Sequence, residues 1–148
     1  MTLKPGLYGF AHLSPGDRIR TTGRPITAAM IDDFAELSGD RYAIHMDDAA
    51  AQARGFAARV AHGLLILSLI DGLKNTAPAR IDALASLGWT WDFTAPVHVG
   101  DMITATFQVA EKRTTSSGKR GIVILDVSVT NQSGDVVQSG QNRLIFDL

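Results

Sequence analysis

Asp40 and His45 lie five positions apart in the stretch Ser38-Gly39-Asp40-Arg41-Tyr42-Ala43-Ile44-His45-Met46-Asp47, and Val60-Ala61-His62-Gly63-Leu64-Leu65 follows soon after. Gly39 ends a helical pattern, so Asp40 begins a non-helical segment. A curled loop of this length can bring a carboxylate and an imidazole to one point. An Asp and a His facing one water divide proton removal from proton delivery, and positioned proton transfer is worth about 10²- to 10⁴-fold in rate. The plain structural reading stands beside it. Asp after a helix-ending Gly is a common turn choice because it bonds its own backbone. The pair by itself decides little; its neighbours carry the case.

The run from His62 to Leu73 has apolar residues on every side, which predicts a helix buried all round. Each fully buried Leu or Ile contributes about 1.5–3 kcal/mol, so this segment is the expected hydrophobic spine. Ser68 and Asp71 interrupt it well before the roughly 18 apolar residues of a membrane span. Gly63 lies in its first turn, where backbone N–H groups lack helical partners and carry partial positive charge. With no side chain in the way, the Gly63 N–H is a candidate to hold a developing oxyanion, a contact whose loss costs about 2.7–4 kcal/mol in enzymes that use one. Equally, a glycine here lets the chain pack tightly as it enters the core. His62 orients the helix start or lines the pocket, with a catalytic role the minority reading.

These residues need a scaffold. The chain has 148 residues, 45% of them hydrophobic, enough for one domain, 1–148, with its own core. A net charge of −1 with dispersed Lys and Arg offers no stripe for a phosphate backbone, so nucleic acid is not an expected partner. Zero cysteines exclude disulfides and thiolate chemistry. The histidines, His12, His45, His62 and His98, lack paired metal spacing, so no metal is expected. No export signal or membrane segment is apparent, and a cytoplasmic protein is expected.

Residues 1–17 are rich in Gly and Pro and read as an irregular N-terminal arm. A short strand is expected over 18–23. Thr27 suits an N-cap, and Met30, Ile31, Phe34, Ala35 and Leu37 give a one-faced helix stopped by Gly39. A short helix over 47–54 and a looser stretch over 74–78 flank the central helix. From about Ser86 the period becomes that of strands: Trp89, Trp91 and Phe93 alternate with Thr90 and Asp92, and runs over 103–109, 122–129 and 136–146 follow. Thr115-Ser116-Ser117-Gly118 and Asn131-Gln132-Ser133-Gly134-Asp135 are hairpin links. Asp101 reads as a structural turn residue. A buried helix followed by an antiparallel meander is an α+β plan.

Three ordered segments, Phe34 to Asp47, Ala61-His62-Gly63-Leu64-Leu65 and Phe93-Thr94-Ala95-Pro96-Val97-His98-Val99-Gly100-Asp101, resemble the MaoC-like dehydratase family, which includes (R)-specific enoyl-CoA hydratases. The likeness runs from about Pro25 to the C-terminus. It implies a hot-dog fold, a long central helix wrapped by a curved antiparallel sheet, assembled as a homodimer or higher even-numbered homo-oligomer. It also implies Asp40 and His45 as the catalytic pair and the Gly63 N–H as the holder of a thioester carbonyl. The reaction implied is reversible hydration of a trans-2-enoyl-CoA to an (R)-3-hydroxyacyl-CoA, with coenzyme A as part of the substrate and no separate cofactor. The chain departs from the family at Tyr42-Ala43, where members usually carry Asn-Pro. Without the proline's fixed angle the loop needs tertiary contacts to hold it, and Tyr42 is expected to shape the acyl end of the pocket. Two alternatives remain: a hot-dog acyl-CoA thioesterase using Asp71 as base, and a non-catalytic acyl-binding or interface module.

Overall fold

The computed structural model describes residues 1–148. Helix α1 (Ala28–Ser38) starts where the Thr27 hydroxyl accepts the Met30 N–H at 3.2 Å and stops at Gly39, whose φ of 78° favours a residue without Cβ. Ile31 and Ala35 fill its buried face, but Leu37 points to solvent. Two short helices follow, α2 (Ala43–Met46) and α3 (Asp48–Ala53), the latter capped by Asp47, which accepts the Ala50 N–H. The central helix α4 spans Gly63–Thr76.

The strands are β1 (Gly6–Tyr8), β2 (Arg18–Arg20), β3 (Arg24–Pro25), β4 (Ala79–Ile81), β5 (Ala85–Phe93), β6 (Met102–Thr114), β7 (Arg120–Thr130) and β8 (Val136–Asp147). The main sheet is antiparallel in the order β2-β6-β7-β8-β5, with β3 beside β6, so β5 forms a free edge. Phe107, Val109, Leu125, Val127, Leu144 and Phe146 alternate inward and pack with Ile66 and Ile70 of α4 in one cluster. A curved antiparallel sheet around one central helix is the hot-dog fold. No helix is long and apolar enough to cross a membrane.

The structure corrects the sequence reading at several points. Helix α4 is not buried all round: Leu65, Ile66, Ile70 and Leu73 face the core, whereas Leu64, Ser68, Gly72 and Asn75 form an exposed stripe, Leu64 being 59% exposed. The sheet covers only one side of the helix, and hydropathy alone cannot tell a covered leucine from an open one. The helix also runs through Lys74 to Thr76 instead of loosening, because Lys74 is drawn inward by Asp71, at 2.8 Å, and Asn142, at 3.0 Å. Finally, the N-terminal segment is not irregular throughout. Strand β1 pairs in parallel with β4, a 3-10 turn covers Phe10–His12, and Leu13 is fully buried.

Candidate active site

Asp40 leaves α1 immediately after the left-handed Gly39 and is exposed. Its carboxylate accepts the Tyr42 N–H at 3.2 Å, the self-bonding turn expected of Asp, and its N–H donates to Ser38 Oγ. His45 sits in the single helical turn α2, not in an open loop. Helix α2 is held from the segment before α4. Val60 N–H donates to the Ile44 carbonyl at 2.9 Å, and Arg59 Nε donates to the His45 carbonyl at 2.7 Å while its guanidinium pairs with Asp32 of α1 at 2.5 Å. Arg59 N–H also donates to Asp48 of α3, so one residue ties three helices together around His45.

Hydrogen bonding fixes the imidazole tautomers. His45 Nδ1 lies 2.6 Å from the Val60 carbonyl; a carbonyl only accepts, so Nδ1 carries the proton and Nε2 presents its lone pair in the neutral ring. His62 Nε2 donates to the Asp40 carbonyl at 2.8 Å, which leaves His62 Nδ1 buried without a partner. The His62 ring stacks on His45, centroids 4.0 Å apart, and leans on Phe34 at 4.9 Å. One side-chain atom each from Asp40, His45 and His62 lie within 4.8 Å of one another. These three are the residues whose spacing could hold a metal ion, and the same spacing lets Asp40 and His45 share one water.

Gly63 is the first residue of α4, as its sequence position requires. With His45, Phe56 and Phe93 it lines an apolar pocket of about 390 Å³. The Phe93 ring covers Gly63 so closely that a Cβ there would stand 2.5 Å from it. Tyr42 is not part of this pocket. It is more than half exposed, with its ring 6.3 Å from the His45 ring and roughly edge-on, so the structure places it beside the catalytic candidate and outside the lining. Asp71 is eight residues along α4 from Gly63, about 12 Å at the helical rise, and lines a separate cavity of about 210 Å³ with Lys74. The structure brings Asp40, His45, His62 and Gly63 together and keeps Asp71 away from them.

Three contributors lie outside the catalytic candidates that the sequence offers: Arg59, the Val60 carbonyl and Gln138, whose amide reaches Gly63. A main-chain acceptor leaves no trace in residue types. Gln138 did leave one, a polar residue on the inward parity of β8 shared with Leu144 and Phe146.

Residues 11–131 match the family model described as a MaoC like domain. Protein MaoC of Klebsiella aerogenes is 40% identical over 95 residues, which cover 64% of this chain and 28% of that protein. The (R)-specific enoyl-CoA hydratase of Aeromonas caviae is 31% identical over 129 residues, 87% of this chain and 92% of that one. The chain thus spans about a quarter of the first relative and nearly all of the second. Among solved structures, an Archaeoglobus protein described as a monoamine oxidase regulatory protein superposes with a TM-score of 0.87 at 27% identity, over 98% of both chains. A Mycobacterium tuberculosis protein with a double hot-dog fold superposes at 0.80 and 18% identity, over 93% of this chain and 43% of that one, a likeness of fold alone.

Proposed function

The chain belongs to the MaoC-like domain family, and from that premise we propose that it is a hydro-lyase that reversibly hydrates a trans-2-enoyl-CoA to an (R)-3-hydroxyacyl-CoA. The observation that carries this reading is the convergence of the Asp40 carboxylate on His45, whose free Nε2 belongs to a ring lining the same pocket as Gly63. The thioester carbonyl accepts from the Gly63 N–H at the positive end of α4, where charge that moves onto oxygen as an enolate forms is stabilised. A water sits between His45 Nε2 and Asp40. One of the pair takes its proton as the water oxygen bonds to C3, and that proton is delivered to C2. Water is added as OH at C3 and H at C2, both residues end as they began, and dehydration runs the same atoms in reverse. No metal is required, since the helix end and N–H group meet the developing charge. The active assembly is a homodimer or a higher even-numbered oligomer.

The reading is tested by offering short, medium and branched enoyl-CoA thioesters while following conjugated enoyl absorbance and free thiol together. Loss of conjugation without thiol is the expected result. Thiol release would move the assignment to a thioesterase, and no change with any substrate would favour a non-catalytic acyl-binding module.

A further inference from the structure

Strand β8 presents two amide side chains, Gln138 and Asn142, on the face that holds Leu144 and Phe146, and they are 2% and 0% exposed. Each ties α4 to β5. Gln138 Nε2 donates to the Gly63 carbonyl at 3.1 Å, and its Oε1 accepts the Trp91 indole N–H at 2.9 Å. Asn142 Oδ1 accepts from Lys74 Nζ at 3.0 Å, and its Nδ2 donates to Ser86 Oγ at 2.8 Å and the Gly88 carbonyl at 3.1 Å. Four residues of strand span about 13 Å, and the eleven residues from Gly63 to Lys74 make three helical turns of about 16 Å in all. The central helix is therefore pinned near both ends, along one face, by amides that also grip the neighbouring strand.

We propose that Gln138 is a positioning residue for the Gly63 N–H, and that Trp91 holds Gln138 in place for this task. The proposal rests on the reading that this N–H receives the thioester carbonyl. A glycine offers no side chain by which its surroundings can fix it, so its direction has to be set through the backbone. The N–H and C=O of Gly63 share one Cα, and pinning the carbonyl to β8 stops the first turn of α4 from tilting or fraying. A second feature shows the contact is built in. At Gly140, opposite Trp91 on β8, a Cβ would collide with the Thr90 carbonyl and stand 2.8 Å from the Trp91 ring. Its absence lets the indole lie across the strand and reach Gln138. A buried amide on an apolar face is retained where both its ends are satisfied, and here one end serves the helix and the other the sheet.

The test compares Gln138→Leu and Trp91→Phe with wild type in steady-state enoyl-CoA hydration and in backbone amide exchange of the full chain. Gln138→Leu is expected to lower kcat about 10- to 100-fold, less than the 10²–10³ lost when an oxyanion donor is removed outright, with KM nearly unchanged. Trp91→Phe, which removes the indole N–H together with part of the ring that packs on the core, is expected to lower kcat about 3- to 10-fold, and the double variant to be no worse than Gln138→Leu alone. Exchange should quicken at Ile66, in the first turns of α4, and stay as in wild type on β7. Wild-type kcat in both variants overturns the proposal, as does quickening spread evenly over all amides, which marks general loosening. Should Gln138→Leu fail to fold, Trp91→Phe decides. Should wild type hydrate no enoyl thioester, the hydratase reading fails, and the pinning of Gly63 stands or falls on exchange at Ile66.

Discussion

At the scale of residues, Asp40 and His45 are held by different means, the first by its own turn and the second by the Val60 carbonyl. Asp40→Asn keeps shape and removes charge, while His45→Ala removes the proton carrier. Each is expected to lower hydration by about 10²- to 10⁴-fold, with the double variant well short of the product because the two handle one water. Asp71→Asn is expected to change turnover far less, since Asp71 lies two turns down α4 beside Lys74. Circular dichroism and initial rates on each variant check this, and near-wild-type turnover in both Asp40 and His45 variants would remove them from the mechanism. Gly63→Ala is a sharper probe. The new Cβ must displace the Phe93 ring, which is more than half exposed and can swing away. The fold should survive, melting within a few degrees of wild type, while kcat/KM falls because a methyl group now crowds the N–H. An unchanged kcat/KM would show that the carbonyl binds elsewhere.

At the scale of elements, α4 is a core helix that carries a buried lysine. Lys74 is 5% exposed, paired with Asp71 and Asn142 and close to the Trp89 and Phe107 rings. A buried polar group left without its partner costs about 1–3 kcal/mol. Lys74→Met strands the Asn142 oxygen, and Asn142→Leu takes one acceptor from the ammonium group, leaving it Asp71 alone, and removes the donor to the Gly88 carbonyl, so each is expected to destabilise by about that amount. The double variant should lose clearly less than the sum, since the residues share one network. Urea unfolding of the four proteins measures this, and strict additivity would show that the contact across the helix–sheet seam contributes nothing of its own.

At the scale of the whole molecule, one face is left open. The exposed stripe of α4 lies beside a shallow groove lined by Met30, Phe34, Leu37 and Leu65, and β5 ends the sheet with an unpaired edge. Exposed apolar surface and a free strand edge both favour association with a second copy, and closed symmetric assemblies are the common outcome. Light scattering at micromolar concentration is expected to give an even multiple of 15.8 kDa. A monomer under those conditions would leave Leu64 and the β5 edge without an explanation.

Much of this was legible in the chain itself. The cap at Thr27, the stop at Gly39, the start of α4 at Gly63 and the strand meander after Ser86 are set by residues close in sequence, through backbone angles and alternating polarity. The five-residue offset of Asp40 and His45 is likewise local, while the roles of this pair and of Gly63 followed from the resemblance of three ordered segments to the family. Tertiary structure alone decided the rest. Hydropathy marked α4 as apolar on all sides but could not say that the sheet would cover one side only. Residue type could not show that the Val60 carbonyl selects the tautomer of His45, or that Arg59 restrains α2 through the His45 carbonyl. Tyr42, next to the site in sequence, stands outside the pocket, while Gln138, 75 residues beyond Gly63, reaches its carbonyl. Sequence patterns record each residue's own preferences; which distant partner meets a hydrogen-bonding group is settled only when the sheet closes around the helix.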